Sequence, residues 1–196
     1  MKETGILMTP ENHRAILNKT KWQTRRVINP QPQPPGVLTI GDGNWRVLLK
    51  NGMTKVFDWQ RDCPHGQVGD KLYIKEGIII DDAFDSPELA GYYMDGARAT
   101  LPNQKRLTAM FMAKKYARTW LELTDVKVER LQDISEEDSI AEGITRNGDR
   151  YDSHVDGYSG WGSAKEAYKE LWDSINQKKH PWSSNPWCWV LEFCVI

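Results

Sequence analysis

A change of hydrophobic period in the last third of the chain sets the tightest limit on its fold. Ser163, Ala164, Lys165 and Glu166 form a full capping box, in which a serine hydroxyl and a glutamate three residues later satisfy the free amides of a helix start. Behind it Ala164, Ala167, Tyr168, Leu171, Trp172 and Ile175 recur at helical spacing. That stripe reads as core and not as a cofactor box. Further on, Trp187, Trp189, Leu191, Phe193 and Val195 alternate, which is the period of a half-buried strand. A helix that buries one stripe and a strand that buries one face belong to an α+β chain.

The remaining elements follow from local chemistry. Residues 5–9 read as a short apolar strand. Pro10 then suits a helical first turn capped by Thr9. Lys19 to Arg26 form a polar, basic segment. The proline-rich stretch 30–36 reads as an extended connection. Residues 37–59 read as a β-hairpin region, with turns at Gly41–Asn44 and Asn51–Gly52. Lys71 to Glu76 alternates like a half-buried strand. Residues 81–105 read as loop, with Tyr92 and Tyr93 as a short strand, and Ala117 to Leu131 is a long β-prone run. Ser135 to Asp138 nearly forms a capping box and opens a short helix that stops at Gly143. Residues 144–162 read as a loop between the two helices. The order of strand, helix, several strands, two helices and a closing strand suggests a small mixed barrel with helices outside it.

Composition narrows the classes of function. At 196 residues, 39% hydrophobic and 27% charged, the chain has a soluble globular make-up. Its formal net charge is −1, so any nucleic-acid contact needs a local basic patch. The odd count of three cysteines argues against a disulfide framework. Cys63 and His65 have no second Cys/His pair at ligand spacing, so no metal and no cofactor are expected. No apolar run reaches the ~20 residues of a membrane span. No signal peptide is evident either, so a cytoplasmic location is the expectation. Nine tryptophans serve either as core filler or as stacking platforms for bases.

Four stretches together resemble the ASCH family, in particular its longer phage-type members. They are residues 6–32, with Lys21, Thr24, Arg25 and Arg26; 63–76, with Gly69, Asp70, Lys75 and Glu76; 126–144, with Glu142 and Gly143; and 171–193. The resemblance spans nearly the whole chain. It implies a PUA-like mixed β-barrel with flanking helices and a cleft between barrel and helices. It also implies one domain over 1–196, with insertions near 30–60 and 144–162. Some small members of the family are amidohydrolases that remove acyl groups from N4 of cytidine. They use a Lys and a Thr three residues apart, and a Glu on a later helix. Lys21, Thr24 and Glu142 stand at the matching positions. The family's cleft-lining strand end carries Lys75 and Glu76 over as substrate contacts, beside Arg25, Arg26 and Tyr93. This chain is much longer than those enzymes, and its two insertions bear on substrate size.

The chemistry expected of that set is acyl transfer without a metal. Thr24 would be the nucleophile, Lys21 the base and Glu142 the proton shuttle to the leaving amine. Arg25 and Arg26 would push the lysine toward its neutral form, since like charges disfavour the ammonium. Other readings stand beside this one. Lys19, Lys21, Arg25 and Arg26 also read as a solvated basic patch, and Glu142 as a solvated helix-end carboxylate. The chain would then be a binding module for RNA or a modified base, gripping phosphate with these cations and stacking bases on aromatics. A phage accessory role is a third reading. The partner is in either main case a modified cytosine nucleoside or RNA.

Overall fold

The computed structural model describes residues 1–29, 31, 37–40, 44–48, 54–58, 62–83, 87–153 and 159–196. The proline-rich stretch 30–36 and the turns expected at Gly41–Asn44 and Asn51–Gly52 lie wholly or mostly outside the described residues.

The strands are β1 (Glu3–Leu7), β2 (Gln23–Val27), β3 (Val37–Ile40), β4 (Asn44–Leu48), β5 (Thr54–Asp58), β6 (Lys71–Lys75) and β7 (Ile78–Asp81). They continue with β8 (Glu88–Tyr92), β9 (Gln104–Leu107), β10 (Trp120–Arg130), β11 (Thr145–Asn147), β12 (Arg150–Asp152) and β13 (Trp187–Val195). Helices α1 (Pro10–Leu17), α2 (Glu136–Ala141) and α3 (Ala164–Asn176) complete the regular elements. The fold is α+β. Its main sheet has five strands in the order β1-β6-β10-β13-β2. The β1–β6 pair is parallel and the other pairs are antiparallel, so the sheet is mixed. The four strands expected near residues 5–9, 71–76, 117–131 and 187–195 all lie in it.

The sheet curls. Arg26 on β2 donates from Nη2 to the Leu7 carbonyl on β1 at 2.7 Å, so the two outermost strands come within reach of one side chain. Inside the curl, Ile6, Leu72, Ile74, Leu121, Leu191 and Phe193 are buried, each from a strand whose alternation puts these residues on one face. A second apolar cluster joins the helices to the sheet through Leu131, Ile144, Ala167, Leu171 and Cys188.

The helix ends are chemically explained. Thr9, Ser135 and Ser163 cap α1, α2 and α3 by accepting backbone amides. Glu136 on α2 also accepts the Ala164 amide at 2.7 Å, placing a carboxylate at the positive end of α3. Helix α2 stops in a Schellman turn: Gly143 N–H bonds the Ile140 carbonyl and Ile144 N–H bonds that of Ser139. Gly143 supplies the left-handed backbone this turn needs, at φ 103°.

Two stretches differ from expectation. Residues 81–105, read as loop, contribute to a three-stranded antiparallel sheet ordered β8-β7-β9. Its strands are short and chemically mixed, so period-two alternation is too brief to register. The 144–162 loop carries the hairpin β11–β12. Within residues 37–59, strands β3, β4 and β5 pair antiparallel in that order, in keeping with the expected hairpin region. No helix among the described residues is long and apolar enough to cross a membrane.

Candidate functional site

The turn after α1 aims the Lys21–Thr24 segment. Lys19 takes a left-handed backbone at φ 60°, and the Thr20 and Lys21 amides both bond the Ala15 carbonyl. Trp22 N–H then bonds the carbonyl of Ala141, the last residue of α2, at 2.9 Å. The chain is thus tied to the C-terminal end of α2 before it enters β2, where Thr24 pairs with Leu191 of β13. Glu142 follows Ala141 as the C-cap of that helix. Lys21 and Glu142 are neighbours for this reason.

Glu142 is the hub of a buried polar cluster. Lys21 Nζ donates to its Oε2 at 2.5 Å and to its backbone carbonyl at 2.7 Å. The second contact places a cation against the negative end of α2. On the other carboxylate oxygen, Tyr168 OH approaches Oε1 at 3.3 Å and Arg25 Nη1 at 3.4 Å. Both terminal nitrogens of Arg25 are engaged elsewhere too, while its Nε is buried without a partner. Arg25 donates to Gln23 Oε1 at 2.5 Å, and to Glu129 and Asp138 at 3.0 Å each. Lys21, Thr24, Arg25 and Glu142 are each 5% exposed or less. Buried charge at this density persists because each charged group has an opposite charge against it.

Burial pushes the Lys21 ammonium below its ordinary lysine value, and Glu142 opposes that push. Burial, reinforced by the Glu142 carboxylate, lifts the Tyr168 phenol well above its usual range. Tyr168 is therefore a neutral donor to Glu142.

Lys21, Thr24, Arg26 and Glu142 line a cavity of about 540 Å³ together with Leu171 and Trp172 of α3. That volume is typical of small-molecule sites. The Thr24 hydroxyl makes no hydrogen bond among the described residues. His65 also lines the cavity. Its burial, with Arg26 and Lys2 nearby, brings its imidazole down to about 4, so it is neutral near pH 7. Among the described residues no group of three or more His, Cys, Asp or Glu could hold a metal ion.

Other residues singled out in the sequence lie elsewhere. Lys75, Glu76 and Tyr93 line a second cavity of about 130 Å³, which shares Met8 and Thr9 with the first. Lys75 donates to the Met110 carbonyl. Glu76 is held by Arg118 at 2.8–2.9 Å and faces His13 Nδ1 at 3.5 Å. The expected solvated basic patch is not one surface. Lys19 is exposed, Arg26 is half-buried, and Lys21 and Arg25 are enclosed. Arg25 runs along the cavity wall, but its guanidinium holds carboxylates of the protein and is not open to phosphate.

Tyr168 and His65 are among the cavity residues that sequence reading missed. The α3 stripe is core, as its spacing implied, except at Ile175, which is 49% exposed, and Tyr168, Leu171, Trp172 and Ile175 also form cavity wall. Helical period names the buried face without saying what the face meets. His65 carried one signal, its place in Cys63-Pro64-His65 beside the Gly66–Asp70 turn, which was weighed only as a metal motif.

No family model matches the chain, and no curated protein matches it. Among solved structures it is similar to an ASCH domain from Lactobacillus crispatus JV V101, at 10% identity and a TM-score of 0.40, over 99% of this chain and 79% of that one. The fold described above rests on the strand order of this chain itself.

Proposed function

We propose that the chain is a PUA-like barrel of the ASCH type and a metal-independent amidohydrolase that removes acyl groups from N4-acylated cytosine or cytidine. The observation that supports this reading is the meeting of Lys21 and Glu142 at 2.5 Å, in one cavity with Thr24, from segments 121 residues apart. A solvated basic run and a solvated helix-end glutamate have no reason to meet. The four stretches that resemble the ASCH family point the same way.

The reaction runs as acyl transfer through Thr24. Neutral Lys21 takes the Thr24 hydroxyl proton as Oγ bonds to the acyl carbon. The carbon–nitrogen bond to N4 breaks, and the proton passes from Lys21 across the short contact to Glu142 and on to N4. Cytosine leaves with its amine restored, and the acyl group stays on Thr24 as an ester. Water then attacks the ester; its proton takes the same Lys21–Glu142 route to Thr24 Oγ, and a carboxylic acid departs. Burial of Lys21 favours the neutral base. Tyr168 and Arg25 hold Glu142 at its second oxygen while the first exchanges protons.

Incubating the pure protein with N4-acetylcytidine and chromatographing the products tests this directly. Cytidine and acetate should appear in equal amounts, with undiminished yield in the presence of a chelator. Saturable binding without turnover would instead make the cavity a reader of modified bases. Neither binding nor turnover on any acylated cytosine would overturn the reading.

A further inference from the structure

Beyond the Lys21 cavity lie two further depressions that share lining residues in turn. The Lys21 cavity shares Met8 and Thr9 with the 130 Å³ cavity. That one shares Tyr93 with a third, open depression of about 320 Å³, lined by Tyr93, Gly96, Ala97, Arg98 and Arg106. Arg98 and Arg106 are exposed, and neither has a carboxylate partner among the described residues. Arg106 lies over the Tyr93 ring at 5.6 Å. Of the acids beside this path, Glu76 and Asp95 are both held by Arg118 and neither reaches Arg98 or Arg106.

The third depression owes its shape to two glycines. A Cβ at Gly77 would come within 2.6 Å of the Tyr93 ring, and one at Gly91 within 2.6 Å of the Ala97 Cβ. Their absence lets the ring and Ala97 seat closely, with Arg98 next in the chain. The Tyr93 hydroxyl is buried without a hydrogen-bond partner, which leaves a phenol donor at the junction of the second and third depressions. Two unpaired guanidiniums, an aromatic ring and a spare hydroxyl form a set suited to a nucleotide phosphate with an adjoining base.

We propose that the three depressions form one groove for a single-stranded polynucleotide, with a base seated in the Lys21 cavity and a backbone phosphate held by Arg98 and Arg106. The base seat rests on the reading of that cavity given above; the phosphate site does not. The net charge of −1 fits this arrangement, because attraction then comes from a local pair and not from the whole surface.

The test measures binding of a fluorescently labelled, unacylated octaribonucleotide by anisotropy across a salt series, so its outcome is independent of any hydrolysis. The wild-type protein should bind more tightly as salt falls. The double variant Arg98→Ala/Arg106→Ala should bind at least about tenfold more weakly, with a salt slope smaller by about 0.7, the share of one single-strand phosphate contact. Arg98→Lys/Arg106→Lys should retain most of the slope, since charge survives. Both arginines are exposed, and a matching thermal transition would show each variant folded. Cytidine 5′-monophosphate provides the second arm and should bind far more weakly than the octamer. Three results would each overturn the proposal: no octamer binding at low salt, an unchanged slope in the alanine variant, or equal affinity for the mononucleotide.

Discussion

Lys21 Nζ sits 2.5 Å from Glu142 Oε2, with both side chains at most 4% exposed, and the two partners are not equally supported. Without Lys21, Glu142 keeps Tyr168 and Arg25 on Oε1. Without the Glu142 carboxylate, the ammonium keeps only the residue 142 carbonyl. Glu142→Gln should therefore destabilise the fold more than Lys21→Met. Breaking a buried pair from one side costs about 3–5 kcal/mol, and the Lys21→Met loss should lie below that range. A double-mutant cycle by urea denaturation should give a coupling of roughly 1–3 kcal/mol. A coupling near zero would mean that the pair is open in solution.

His65 makes stability depend on pH in a stated direction. Its imidazole titrates at about 4 in the fold, against 6.5 ordinarily. Between those values the unfolded chain binds the proton and the folded chain does not. The contribution is thus fully present above pH 6.5 and is lost as pH falls through about 4. Replacing His65 with Gln should flatten the decline of stability across pH 6.5 to 4, measured by thermal unfolding at each pH. His13 shifts in the same direction, with burial as the leading cause, so part of the slope should survive in the variant.

Much of the scaffold was legible because caps and periods are local. Ser163 with Glu166, Ser135 before α2, and the alternation from Trp187 to Val195 each report structure within a few residues. The interior of β2 was not legible. Gln23, Thr24 and Arg25 are all buried, yet a polar run reads as surface because the sequence does not show its partners. Those partners, Glu129 and Asp138, lie 104 and 113 residues away. The Lys21, Thr24 and Glu142 positions came from likeness to a family pattern; periodicity alone would have left all three on the surface. The link from Tyr168 to Glu142 spans 26 residues and had no local signature.

Tyr168→Phe tests the support given to Glu142 while leaving the aromatic packing in place. The change removes one hydroxyl donor at 3.3 Å from Oε1 and keeps the ring against Trp172 and Trp182. A hydrogen bond of this kind is worth about 0.5–1.5 kcal/mol. If it holds the carboxylate in place for proton transfer, kcat on N4-acetylcytidine should fall by about 2- to 13-fold, with KM little changed. A rise in KM alone would place Tyr168 in substrate binding instead.

Thr24 provides the most direct test of covalent chemistry. Its hydroxyl lies on the cavity wall with no protein partner among the described residues, and its backbone is fixed by β13. Thr24→Ala removes the nucleophile but only a small volume, so folding should survive while turnover falls to background. Thr24→Ser retains the hydroxyl and should retain measurable activity. Rapid quenching with a slowly hydrolysed acyl-cytidine should trap wild-type protein heavier by one acyl group, with the added mass on the peptide that contains Thr24. The Lys21→Ala variant should not acylate, and loss of a general base typically costs about 10²–10⁴ in rate. Because Lys21 must be neutral to accept the proton, wild-type kcat/KM should climb with pH on a limb below 10.5, the ordinary lysine value from which burial lowers it. Full activity in Thr24→Ala, with no acylated peptide in the wild type, would show that water attacks directly and that Thr24 only shapes the cavity.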